Sequence, residues 1–548
     1  MITSVGHPRG AANWTRLAAL LVCAAAILPY LSTIDDYFVR DDFGVVQLLA
    51  QKPATYFPRW FASSWMDDIW GFVPDEVRPF PALSYQLTSL GGSGSPVLHH
   101  VLNVVIHAIN GLLVIAIARS VAALGPAAST FAGLVFVVLP VHTESVAWIT
   151  GRVDSMPAFF YLASFLAYAR YRTGEGRPYY LWSLALFFVA LFTKQNTITM
   201  VATLAAYDLL VRRQPIRPLL AFVGPYLPFI LMTGGYLWLR YLLFGQAARE
   251  GALSAQAVHD FRIIADRHLR HVILGGVHGS SAGLWATLIV VVGICVAASR
   301  LTGNRAQAPS RSRLGLLLYF GPVWWAIGIA PVAVAGYESP RHVYLAAVGW
   351  AMVLGILFDL LWAVRESVRW RRSVLAAAGA VLILYAFPLA RAIRDWHEMA
   401  AVSQQAVRDV RRAALTAPRG TLLVVGAPVS SWAWALPFAV RPPFVRTDLR
   451  ERVFIVSPRA LSCCGAQWPD ETRDTLRRWS NGAAPESVVF LRWDENSGAL
   501  SRATSAENPQ LPVLVHALTT VTNVEDLDVN LWRMLQELTV VVEETAVR

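Results

Sequence analysis

Runs of about 20 apolar residues recur through most of this chain, separated by short arginine-bearing connectors, and that repetition constrains its fold more than any other feature. Each run is long enough to cross a hydrocarbon core of about 30 Å as a helix. The 548 residues are 55% hydrophobic and 15% charged, with a mean hydropathy of +0.45, which is too apolar for an ordinary soluble globule of that length. The sequence therefore predicts an α-helical polytopic membrane protein. About eleven candidate spans lie near 14–33, 97–118, 122–140, 146–169, 179–193, 196–211, 218–243, 282–299, 314–334, 342–363 and 373–392. The first follows Arg9 and Arg16 but has no small-residue cleavage site, so it is expected to be retained as a helix.

Arginine placement orients the spans. With a cytoplasmic N-terminus, the even connectors carry Arg119; Arg170, Arg172 and Arg177; Arg212, Arg213 and Arg217; Arg300, Arg305, Arg311 and Arg313; and Arg365, Arg369, Arg371 and Arg372. All obey the positive-inside rule. The net charge of +11 is accounted for by these loops, and a nucleic-acid partner is not expected. The chain has two lysines, Lys52 and Lys194, against many arginines, a bias that points to a bacterial inner membrane with the opposite, exoplasmic face in the periplasm. Cys463 and Cys464 are adjacent and form no metal-binding spacing; a vicinal disulfide and two free thiols both fit.

The chemistry-bearing residues gather on the exoplasmic side. A first loop, residues 34–96, contains Asp35, Asp36, Asp41, Asp42, Asp67, Asp68, Asp75 and Glu76, together with Trp60, Trp65 and Trp70. Paired carboxylates can deprotonate a hydroxyl, hold a divalent cation or orient sugar hydroxyls; the tryptophans fit the membrane interface, their commoner role, or stacking on a sugar. His142 and Glu144 fall at a membrane edge, and Arg152 and Asp154 enter the next span, where unpaired charge is costly. Lys194 stands alone between two apolar runs, and Glu338, Arg341 and His342 form another charged knot. Carboxylates with cations at headgroup depth suit a lipid-phosphate sugar: an acid activates the acceptor and the cations hold the phosphate leaving group. A divalent metal is compatible with the acidic loop, but no His/Cys spacing requires one.

Residues 1–395 are thus read as a membrane domain, 396–417 as a connecting helix, and 418–548 as a small exoplasmic α/β domain with strands near 421–425, 452–456 and 487–492.

Five stretches, in order, resemble the transmembrane O-mannosyltransferases of the GT-C superfamily that carry TPR repeats, and their bacterial relatives. They are Phe38 to Asp42 (FVRDD) with Asp68 to Gly71 and Arg78; His99 to Asn110; Val141 to Ser155; Thr193 to Met200 followed by Tyr207 and Asp208; and Glu338 to Trp350. The resemblance implies a GT-C fold, a polyprenyl-phosphate or dolichyl-phosphate sugar donor, and inverting transfer to an acceptor protein, lipid or glycan. It makes Asp41 and Asp42 the catalytic candidates, an acid of this pair serving as general base: Asp41 is favoured by its place in the motif, with Asp42 binding acceptor, sugar or metal, and the sequence leaves open which of the two is the base. His142, Glu144, Arg152, Asp154, Lys194, Glu338 and Arg341 are then expected around the donor, with Asp68 and Arg78 supporting the loop. Leu139 and Gln195 depart from the pattern, standing where histidine and an acid are frequent, and no TPR period follows residue 418. A transporter or flippase of lipid-linked saccharides would need inverted repeats or charges on both sides of the midplane, which the sequence does not show; a catalytically degenerate binding protein is the third reading.

Overall fold

The structure, a computed structural model, describes residues 8–66, 74–92, 94–216, 218, 222–247, 255–275, 280–302, 313–335, 339–416, 421–424, 438–449, 452–455, 488–494, 496–503 and 513. Asp67, Asp68, Trp70, Glu338, Cys463 and Cys464 lie outside these residues.

Helices follow the apolar runs: α1 (Pro8–Ile27), α2 (Asp42–Ala50), α3 (Pro79–Ser89), α4 (Val97–Ser120), α5 (Pro126–Val138), α6 (Thr143–Ala147), α7 (Arg152–Arg172), α8 (Arg177–Leu191), α9 (Met200–Ala206), α10 (Leu227–Phe244), α11 (Ala255–Leu274), α12 (Ser281–Thr302), α13 (Arg313–Leu318), α14 (Trp324–Ala335), α15 (Ala347–Val364) and α16 (Val368–Thr416). Proline at the first turn starts several of them, where its missing N–H costs no hydrogen bond. Gly245, in the left-handed conformation at φ 72°, ends α10.

Seven helices among the described residues are long and apolar enough to cross a membrane, and a bent pair raises this to as many as eight. The other expected spans are helical but short or charged: α7 carries Arg152, Asp154, Arg170 and Arg172, α8 is 15 residues long, and α9 continues into a π-turn ending at Val211. These pack against neighbouring helices, with α7 lying against α4 and α8, so their polar groups find protein partners rather than lipid.

Two departures from the expected spans matter for the site. The run at 122–140 does not continue straight: Leu139 and Pro140 break it, and α6 leaves α5 at 51°. The last span and the stretch read as a connecting helix are one 49-residue helix, α16, about 74 Å long at helical rise. Only its first part is apolar; the remainder projects beyond the bilayer and carries the C-terminal sheet.

That sheet has the order β2-β1-β3-β4, built from β1 (Thr421–Val424), β2 (Val453–Ile455), β3 (Val488–Asp494) and β4 (Ala499–Ala503). β1 runs parallel to β2 and β3, and β3 is antiparallel to β4. The molecule has two cores. One fills the helical bundle; the other joins the first loop to the end of α16 and the sheet. Phe444 packs edge-on against Phe38 and Phe43, with ring centroids 5.0 and 4.8 Å away. Asp409 of α16 accepts the Leu500 N–H at 3.0 Å. Trp60 and Trp65 are buried in this second core, and Trp65 donates Nε1–H to Glu76 at 2.8 Å. They consolidate the loop and do not float at the interface as the sequence predicts.

Candidate active site

The site is built around the irregular turn between α6 and α7. Gly151 is required there, because a Cβ would overlap the carbonyl oxygen of Glu144 and crowd Ser145 and Trp148. The turn is tied from four directions. Asn103 donates to the carbonyls of Val146, Trp148 and Ile149 at 3.3, 2.9 and 3.3 Å. The Tyr85 hydroxyl donates to Ile149 and Thr150. Asp42 accepts the Thr150 N–H at 2.9 Å and its hydroxyl at 2.6 Å through one oxygen, and the Val39 N–H at 3.1 Å through the other.

Asp42 is therefore 1% exposed with both oxygens occupied. It pins the FVRDD motif to the turn. Burial raises its carboxyl to about 7, against the opposing pull of these hydrogen bonds. Asp41, one residue earlier, is half-buried at the start of α2, so it is the more accessible carboxylate of the pair.

Arg152 is the fourth tie. Its guanidinium is 0% exposed and donates to Asn103 Oδ1 at 2.7 Å, Ser84 Oγ at 3.0 Å and the His99 carbonyl at 2.9 Å, over the Tyr85 ring. It clamps α3, α4 and α7 together. His142 is likewise buried, its ring packed on Phe136 and Tyr344 with centroids 4.5 and 4.3 Å away, in the bundle core. Proline and aromatic neighbours drew it inward; its sequence position at a membrane edge did not reveal this.

What converges at the end of α7 is a chain of ions. Arg341 donates to Glu144 Oε1 at 2.8 Å and lies 3.3 Å from Asp154 Oδ2; Asp154 Oδ1 pairs with Lys194. Glu144 Oε2 also accepts from the Ser339 hydroxyl at 2.5 Å and the Arg341 N–H at 3.2 Å. Arg78 binds Glu76 at 2.8 Å and Gln195 Oε1 at 3.3 Å, and both Arg78 and Arg341 act electrostatically on Lys194. Burial pushes the Lys194 ammonium below its usual value, with Asp154 pulling it back. Gln195, standing where an acid is frequent, is thus a neutral partner for Arg78.

The loop reaches this chain through aromatic rings. Arg40, at φ 51°, lies over Trp148 and Trp396 at 5.9 and 5.2 Å, and Arg341 lies over the same Trp148 at 4.8 Å. Arg40 is close enough to bear on Glu144. Sequence reasoning missed Arg40, Trp148, Trp396 and Ser339, each of which acts through a partner far away in the chain, and Gly151, whose constraint comes from the local fold of the turn. Among the described residues no group of three or more His, Cys, Asp or Glu converges on a possible metal position.

The fold and this ion chain define a multi-pass integral membrane protein with a charged site at one end of its bundle. No family profile matches the chain. Over 203 residues, 35% of this chain and 23% of the relative, it is 32% identical to Protein O-mannosyl-transferase Tmtc1 of Drosophila melanogaster. Over 224 residues, 35% of this chain and 29% of the relative, it is 31% identical to human Protein O-mannosyl-transferase TMTC4. The matches span less than a third of these curated relatives. The solved apo structure of ArnT from Cupriavidus metallidurans superposes with a TM-score of 0.52 at 12% identity, covering 89% of this chain and 94% of that one. The chain shares the fold of that ArnT structure and, over about a third of its length, resembles the O-mannosyltransferases.

Proposed function

We propose that this protein is a membrane glycosyltransferase that moves a sugar from a polyprenyl-phosphate donor to an acceptor hydroxyl with inversion. The observation that carries the reading is the buried Glu144–Arg341–Asp154–Lys194 chain set beside a loop bearing an accessible Asp41. The acceptor oxygen attacks the anomeric carbon while the bond to the phosphate oxygen breaks. Its proton passes to Asp41, and the phosphate departs on its lipid. Lys194 and Arg341 neutralise the charge that grows on the leaving phosphate, in a site where water is scarce and each cation counts for more. Lys194 has one acceptor among the described residues, Asp154, so its ammonium retains donors for an incoming oxyanion. Glu144 and Asp154 hold the two cations in place. Asp42, Arg152 and Gly151 position the loop and turn without touching substrate. The O-mannosyltransferase relatives favour mannose as the sugar, and arginine placement favours a periplasm-facing site in a bacterial inner membrane.

The test uses membranes containing wild type or Asp41→Asn protein, incubated with labelled polyprenyl-phosphate sugars and native cell extract. Loss of sugar from the lipid with wild type, and at least about a hundredfold less with the variant, supports the assignment. Equal transfer by both refutes Asp41 as base, and intact donors with well-folded wild type refute the transferase reading.

A further inference from the structure

A second feature at the membrane surface is separate from the ion chain. A cleft of about 640 Å³ opens between α1 and α16. Its walls are apolar and cut back by small side chains, Ala24 and Ala25 on one side, Ala386 and Ala390 on the other, with Leu28 also lining it. Exposed Leu31, Leu384 and Phe387, the last 74% exposed, mark the surrounding helix surface as lipid-facing. One end of the cleft is different: Arg394 and His397 close it.

From Ala386 to His397 a helix rises about 16 Å, close to half the hydrocarbon thickness of about 30 Å. The cleft thus matches one leaflet in length, and in the orientation proposed above Arg394 and His397 lie at its exoplasmic headgroup end. Arg394 is exposed on the lipid side of α16. His397 is held by Asp36, whose Oδ1 lies 2.5 Å from Nδ1, and this contact orients the ring with Nε2 on the side away from that carboxylate. Asp36 is anchored in turn, its carbonyl 3.1 Å from His100 Nε2. An apolar trough one leaflet deep, ending in a guanidinium and an oriented imidazole, is complementary to an acyl chain ending in a phosphate.

We propose that this cleft binds an anionic glycerophospholipid of the surrounding bilayer, its phosphate between Arg394 and His397 and an acyl chain along Ala25, Leu28, Ala386 and Ala390. The site is distinct from Lys194 and Arg341 and does not depend on the transferase reading. Next to His397, Trp396 stacks on Trp148 with centroids 6.0 Å apart, so the bound headgroup sits one residue from the aromatic layer that carries Arg40.

Full-length purified protein is tested by native mass spectrometry after titration with dioleoyl phosphatidylglycerol or dioleoyl phosphatidylcholine. Wild type should retain phosphatidylglycerol preferentially, and Arg394→Gln should cut that preference about fivefold, the effect of one cation near an anionic headgroup. Ala390→Trp should abolish retention of both lipids; Ala25→Leu, a smaller filling, should weaken it and serves if the tryptophan variant fails to fold. Equal retention of the two lipids, an Arg394→Gln variant indistinguishable from wild type, or displacement by inorganic phosphate alone would overturn the proposal. So would retention of undecaprenyl phosphate in preference to phosphatidylglycerol, which would make the cleft a donor groove.

Discussion

The two ends of α7 carry buried ions of the same kinds and do different work. At its C-terminal end Asp208 is 0% exposed. It accepts the hydroxyls of Tyr168 and Tyr226, both at 2.7 Å, and contacts Arg172 at 3.2 Å and Arg212 at 3.5 Å. Two connectors expected on the cytoplasmic side meet there, and the carboxylate's oxygens are filled by short neutral and charged donors. At the N-terminal end, about 30 Å away along the helix, Asp154 is shared between Arg341 and Lys194, and Glu144 pairs with the same Arg341. A filled carboxylate locks helices together. In the proposed reaction a shared one exchanges partners when the phosphate oxyanion arrives.

Substitutions at the two ends should therefore separate turnover from stability. The largest expected effect is Lys194→Ala, which should lower transfer about a hundredfold or more by removing one oxyanion donor, with a smaller loss of thermal stability. Asp208→Ala should do the reverse: breaking a buried ionic cluster costs about 3–5 kcal/mol, read by denaturation in detergent, while the folded fraction keeps its rate. A comparable loss of specific activity from Asp208→Ala would break the comparison.

Gly151→Ala sharpens it from the backbone side. The overlap with Glu144 should displace the turn and both acids, reducing activity and folded yield together, unlike Lys194→Ala; expression and specific activity measured in parallel decide this. A smaller, pH-dependent effect belongs to Asp42. Its carboxyl is raised by burial to about 7, above an unfolded value near 4, so the folded state holds a proton that the unfolded state releases between these values. Stability should fall as pH rises from about 4 to 7 and level off above. Asp42→Asn should flatten that slope in thermal unfolding measured across the range. The smallest change is expected for Gln195→Glu, which gives Arg78 a charged partner and draws positive field away from Lys194. It should raise the donor KM a few-fold with little change in kcat.

The positions of these groups were legible to different degrees. Lys194 stood out because a lone cation between apolar runs is expensive, and Glu144, Asp154 and Arg341 because each interrupts a hydrophobic pattern at a helix start. Arg152 interrupts the pattern just as conspicuously, and its use as a clamp was not readable, since its partners Ser84, His99 and Asn103 lie on two other helices. Asp41 and Asp42 look equivalent in a string; Thr150, more than a hundred residues later, separates them by burying one.

By itself the sequence determined that this chain is a membrane-spanning helical bundle with charge gathered at one face. Span length and hydropathy are local properties, set against a bilayer of fixed thickness. Only the tertiary structure decided which charges are locks and which stay available, that the first loop and the C-terminal sheet share one core, and that the last span continues as a single long helix. Those outcomes depend on which donors come within about 3 Å of each carboxylate, and residues remote in the chain supply them.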